Sequence, residues 1–184
     1  MRTSSTVILK VALVLLLMLT LAACNSETGT SGPSTQSTGQ IQGQGLGLSK
    51  ADWEKLHGPG TPNAPGFPSF QYEKNQYQVI IANDQVAQIE RHWISQAVSL
   101  DMAKEESKKL YPADAKFIKS VVTASNKDNV EVFFSDMAKQ AFASTSSTIP
   151  LWPGGSPGNF TVTYRQTANH QIESIVIVLG INPT

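Results

Sequence analysis

The chain has 184 residues and balances 14 basic against 14 acidic side chains, with 8% aromatic residues and one cysteine. A neutral chain without a lysine- or arginine-rich stretch has no general attraction for nucleic acid or for an anionic surface, so neither is expected as a partner. A single cysteine excludes an internal disulfide, so the folded part must be held by its apolar core alone.

The first 23 residues read as a segment that directs the chain out of the cytoplasm. Arg2 and Lys10 precede an apolar run from Val11 to Ala23, and small residues lead into Cys24. The 13 residues of that run fall short of the roughly 20 that a membrane-spanning helix needs. Extending the run back across Lys10 makes at best a weak signal anchor. The sequence Leu21-Ala22-Ala23-Cys24 resembles the lipobox of bacterial lipoproteins, in which the thiol receives a diacylglyceryl group and the bond before it is cut. An ordinary signal peptide with a chance cysteine is the alternative. The resemblance implies that Cys24 is the lipid attachment site and the first residue of the mature chain, which would carry 12 basic and 14 acidic groups. Two acyl chains anchor a protein stably where one does so only marginally. The implied location is the extracytoplasmic face of the cell membrane.

Residues 25–47 contain six glycines, four serines, four threonines, four glutamines and a single charge, Glu27. Such a composition cannot bury enough surface to offset its ordering entropy. Residues 24–47 are therefore expected to be a disordered tether with a root-mean-square span of about 25 Å.

The folded domain is expected over residues 48–184. Ser49 is placed to cap a short helix that carries Trp53 and Leu56 on its inner face and ends at Gly58-Pro59. A loop rich in proline and glycine runs to about Pro68. Three strand-like runs follow, Ser69–Glu73, Tyr77–Ala82 and Val86–Ile94, separated by Lys74-Asn75 and Asn83-Asp84 turns. In the third run Ala87, Ile89, Arg91 and Trp93 share one face, and Gln88, Glu90 and His92 share the other. Ser99 is placed to cap a second helix, roughly residues 100–111, with Glu105 and Lys109 as an i,i+4 pair. Strands are expected over 115–124 and 130–134. Ser135 opens a short third helix to about Phe142. A long polar loop, 143–159, holds Pro150-Leu151-Trp152-Pro153, and a closing hairpin uses 160–165 and 172–181. The run Ile175-Val176-Ile177-Val178-Leu179 is apolar at every position, the mark of a central strand covered on both faces.

Together these runs predict an α+β domain, an antiparallel sheet with short helices on one face. The hairpin Tyr77-Gln78-Val79-Ile80 to Gln88-Ile89-Glu90 echoes Phe160-Thr161-Val162-Thr163 to Ile172-Glu173-Ser174-Ile175. That echo suggests two tandem helix-hairpin modules, 48–95 and 99–181, although amphipathic hairpins resemble one another in any case. The opening Leu-Ser-Lys-Ala-Asp with Gly-x-Gly-Thr-Pro, followed by Tyr-x-x-x-x-Tyr-x-Val and Asn-Asp-Gln-Val, resembles the SmpA/OmlA lipoproteins and the β-lactamase-inhibitor-protein repeat. Those families pair a short helix with a hairpin and bind other proteins. The chain lacks the cysteines of the inhibitor proteins, and no binding residue is carried over.

Catalytic chemistry finds no foothold. His57, His92 and His170 lack metal-ligand spacing to other His, Cys, Asp or Glu residues. No Ser-x-x-Lys or phosphate-cradling glycine motif precedes a suitable element. No catalytic residue, metal site or cofactor is assigned, and an unrecognised enzyme is the least favoured reading. Two features suit recognition of a protein partner. Trp152 stands between prolines in a loop of unusual length, either as an interface anchor or folded onto the core. Arg91-His92-Trp93 is the second, its plain alternative being Trp93 in the core with His92 in solvent. The expected function is a membrane-anchored, non-catalytic protein- or envelope-binding module, with a structural or assembly factor of the envelope as the alternative.

Overall fold

The computed structural model describes residues 43–143 and 155–180. Residues 1–42, the lipid-attachment position Cys24, Trp152 with its loop segment 144–154, and the last four positions lie outside the described residues. The fold is α+β, with one eight-stranded antiparallel sheet and three short helices among the described residues.

Helix α1 (Lys50–His57) begins where the Ser49 hydroxyl accepts the amide of Asp52 at 3.0 Å, and Gly58 ends it at φ +76°. Four strands follow: β1 (Thr61–Pro62), β2 (Ser69–Tyr72), β3 (Tyr77–Ala82) and β4 (Gln85–His92). Asn83 and Asp84 both adopt positive φ, the geometry of a two-residue hairpin turn that matches the right-handed twist of the strands. Helix α2 (Leu100–Lys108) is capped by Ser99, whose hydroxyl accepts from the Met102 amide at 3.2 Å. Strands β5 (Lys116–Val122) and β6 (Asn129–Phe134) lead to α3 (Asp136–Ala141), capped by Ser135. Strands β7 (Asn159–Gln166) and β8 (Ile172–Leu179) close the sheet.

The spatial order is β1-β2-β3-β4-β8-β7-β6-β5. Each half is a helix followed by an antiparallel meander, and the halves meet where β4 pairs with β8. The apolar run of β8 thus lies at the centre of the sheet. Ile175, Ile177 and Leu179 on one face are at most 1% exposed, and Val176 on the other is also buried. Burial of each such side chain contributes about 1.5–3 kcal/mol. The three described helices pack on one face, where Trp53, Ala103, Ala138 and Phe142 join Val79, Ile89, Val162 and Ile177 in one core.

A β-bulge decides which residues of β4 face that core. The Asn83-Asp84 turn pairs Ala82 with Gln85 and Ile81 with Val86, but then Ile80 pairs with Gln88, leaving Ala87 as the extra residue. The shift puts Val79 opposite Ile89 and Tyr77 opposite Arg91. An unbroken register would have turned Gln88 and Glu90 toward the helices instead.

The structure differs from sequence expectation in four places. Gly43–Gly47, read as the end of the tether, belong to the domain. Leu46 is fully buried, its amide donates to the Leu110 carbonyl at 2.8 Å, and the Gly47 amide donates to Val86 at 2.8 Å. A Cβ on Gly45 would stand 2.0 Å from the Leu110 carbonyl oxygen, so glycine here serves close packing rather than flexibility. Leu56 is exposed, because the inner face of α1 runs from Trp53 to His57, one turn on, and not to Leu56. Glu105 and Lys109 do not pair with each other. Lys108 pairs with Glu105 and Lys109 with Glu106, both at i,i+3 spacing. Finally, β1 adds two residues to the sheet inside the Pro/Gly loop.

Among the described residues no helix is long and apolar enough to cross a membrane.

Candidate functional site

Arg91, His92 and Trp93 lie at the end of β4 and the start of the loop that follows it. Alternation along a strand sends Arg91 and His92 to opposite faces. The structure nevertheless brings both, with Trp93, to the rim of one cleft of about 200 Å³, completed by Gln76, Ile94, Ser95 and Gln96. This happens because the strand ends there. The His92 amide donates to the Gln76 carbonyl at 2.8 Å, and the Trp93 amide donates to the Glu173 carbonyl at 3.0 Å, one residue before the β4 pairing of β8 begins at Ser174. Val98 and Ile172 then exchange two backbone hydrogen bonds, at 2.9 and 2.8 Å. The wall 93–98 is therefore tied to β8 at both ends, while Ile94, Ser95 and Gln96 between the ties are exposed.

Arg91 points to the helix side with Tyr77, and its Nη1 donates to the Tyr77 hydroxyl. Its guanidinium carbon is 5.1 Å from the Tyr77 ring centre and 5.3 Å from that of Trp93, within cation–π range of both. The Arg91 Nε is buried and has no hydrogen-bond partner. Among the described residues no carboxylate stands within ion-pair distance of Arg91, whereas Arg165 binds Glu90 at 2.5 Å.

Behind Tyr77 lies an aromatic group built on α1. Trp53 is fully buried, stacks on His57 with centroids 3.9 Å apart, and meets Tyr72 and Tyr77 edge-on at 5.9 and 5.6 Å. His57 tilts against Tyr77 at 4.9 Å, and its Nδ1 lies 2.5 Å from the Glu73 carboxylate. Burial pushes the Tyr77 hydroxyl pKa up, the positive charge of Arg91 pulls it down, and Glu73 raises it again. On the other face His92 is partly exposed, with Nε2 3.6 Å from the Glu90 carboxylate that Arg165 also holds. His170 sits in the β7–β8 turn at φ +60°. Among the described residues no three His, Cys, Asp or Glu side chains gather in a way that could hold a metal ion.

Of the residues singled out from sequence, Arg91, His92 and Trp93 share the cleft, and Trp152 and Cys24 lie outside the described residues. Sequence reasoning missed Gln76, Ser95, Gln96 and the Tyr77–Arg91 pair. The available signal was the two-residue turn at Asn83-Asp84, but counting back from it pairs Tyr77 with Glu90, because the bulge at Ala87 leaves no mark in the pattern.

No family model and no curated protein matches the chain. It is similar to a solved structure of a cysteine-rich secretory protein from Staphylococcus aureus at 11% identity, with a TM-score of 0.34. That match covers 73% of this chain but 43% of the other, a likeness from which neither fold nor function is carried over.

Proposed function

We propose that the chain is a lipid-anchored, extracytoplasmic lipoprotein that works as a non-catalytic binding module, tethered through Cys24 and meeting a protein partner at the Arg91–Trp93 cleft. The observation that carries the binding assignment is the cleft wall. It is pinned to β8 at both ends yet presents Ile94 at 62% exposure beside an aromatic-flanked cation. A preordered apolar side chain next to Arg and Trp has the composition of an interface centre, and ordering it costs little on binding. The lipobox Leu21–Cys24 supports the anchor. The helix-then-meander halves support the likeness to the SmpA/OmlA and inhibitor-protein modules.

A second reading, an assembly factor of the envelope, is favoured by β5. Among the described elements it pairs only with β6, and Phe117, Ile118 and Val122 on it are 58%, 50% and 59% exposed. An apolar edge strand is a template for another strand.

In-cell crosslinking of the native protein, with Cys24→Ala as the unanchored control and mass spectrometry of the products, tests the proposal. One dominant partner that is lost with Cys24→Ala is the expected result. An N-terminus starting at Met1 without lipid on Cys24 would remove the anchor. Several envelope partners, with a weakened envelope on deletion, would favour the assembly reading.

A further inference from the structure

We infer that the cleft recognises a carboxylate, and that Arg91 is the residue that reads it. The inference rests on the binding-module reading and names the chemistry of the partner's anchor.

A half-buried guanidinium is costly unless its donors are used. Arg91 spends Nη1 on Tyr77, leaves its buried Nε unpartnered, and has no carboxylate within ion-pair reach among the described residues. The two rings beside it hold the group in place without neutralising it. The rest of the rim supplies the side-chain amides of Gln76 and Gln96 and the hydroxyl of Ser95, all able to donate, and the indole of Trp93 as a flat wall. Among the described residues no acidic side chain lines the cleft. A fixed cation among neutral side chains that can donate suits a planar anion that accepts at two oxygens.

Size narrows the class. At about 200 Å³ the cleft falls below the roughly 300–1,000 Å³ of pockets that enclose a whole small molecule. It holds one anchor group, such as an aspartate or glutamate side chain or a chain-terminal carboxylate, while Ile94 beside it meets the apolar neighbour of that group. His92 lines the same cleft and would add charge only when protonated. The charged groups facing it are Glu90 on its own strand and, through Glu90, Arg165 on β7.

The test uses the full chain, isotope-labelled and purified in detergent, titrated with three probes and followed by the Trp93 indole and Arg91 Nε–H signals. The probes are N-acetylglutamate α-amide for a side-chain carboxylate, N-acetyl-leucine for a terminal one, and N-acetylglutamine amide as the neutral isostere. Saturating shifts with one or both acids and none with the amide are expected, and which acid binds tells the two sources apart. Arg91→Gln should weaken acid binding about tenfold or more, the effect of losing one charge-assisted hydrogen bond. Arg91→Lys, which keeps the charge without the fork, should retain part of it and serves as the control for folding. Equal shifts from acid and amide, no shift from any probe, or acid binding unchanged in Arg91→Gln would each overturn the inference. A photo-crosslinker at Ile94 keeps the two proposals separable. A partner captured there equally well by wild type and Arg91→Gln would sink the carboxylate and keep the binding module. No capture at Ile94 by either would sink the cleft as the partner site.

Discussion

Tyr77 and Tyr164 stand in one row across the sheet. Tyr77 is opposite Arg91, Arg91 opposite Ile175, and Ile175 opposite Tyr164. Both rings are buried under the helix layer, Tyr77 in the first half and Tyr164 in the second, yet their hydroxyls meet opposite surroundings. The Tyr164 hydroxyl donates to Glu131 at 2.9 Å and lies 3.0 Å from Ser107, and Glu131 is in turn held by Lys104 at 2.8 Å. Every charge there is answered inside the fold. The Tyr77 hydroxyl is answered by a guanidinium that has no ion-pair partner among the described residues. The same residue type in the same row thus serves a closed structural network in one half and the back wall of an open cleft in the other. The difference lies in what the helix and the neighbouring strand bring to the phenol, not in the phenol.

Alkali should produce the largest effect, because it acts on both halves. All four tyrosines of the chain, 72, 77, 111 and 164, have hydroxyl pKa values raised, chiefly by burial. Tyr72 and Tyr111 are pushed up to about 12. A raised folded pKa contributes stability in full below the unfolded value of about 10, and that stability is lost as pH climbs through the folded values. Phenolate absorbance and loss of far-UV circular dichroism should therefore rise together. Tyr77, which faces a cation, should ionise before Tyr164, which faces Glu131. Tyr77→Phe should remove the earliest part of the titration, and its persistence would break the comparison.

Trp53→Ala should cost about 3–5 kcal/mol, the range for emptying a large aromatic site. Its chemical-shift changes should gather on His57, Tyr72, Tyr77 and Trp93, and spare the Tyr111, Phe133 and Phe160 rings that pack together in the second half. Tyr164→Phe should cost about 1–2 kcal/mol in chemical denaturation, since it strips one donor from half-buried Glu131 and one partner from buried Ser107. Tyr77→Phe should cost least, about 0.5–1.5 kcal/mol, because Arg91 can turn its freed donor toward solvent at the cleft.

Local chemistry made much of the fold legible. Ser49, Ser99 and Ser135 all cap helices through their hydroxyls, and Asn83-Asp84 forms the tight turn that its residues require. The apolar run of β8 marked the centre of the sheet because no edge strand can be apolar on both faces without cost. What failed to show depends on contacts between distant segments. Gly43–Gly47 reads as linker by composition, and only the approach of Leu110 reveals why glycine is needed at position 45. Two residues at Thr61–Pro62 pair with β2 without any periodicity of their own. At the site, three consecutive residues were visible as an unusual trio, but strand alternation separates them. Their meeting depends on the end of β4 and on the ties of 93–98 to β8.

The pairing of β4 with β8 also sets an order of events. It joins Gln88 to Val178 and His92 to Ser174, separations of 90 and 82 residues, whereas the other neighbouring strands on each side follow one another along the chain. Each half can search for its own hairpins quickly, but the seam must close a long loop and is slow by comparison. Until β8 has been synthesised, β4 and β7 each present an unsatisfied edge, and a nascent chain held at that stage has two places for mispairing. Of the described strands the seam strand is made last, so the cleft wall that hangs from Glu173 and Ile172 takes shape only once β8 docks.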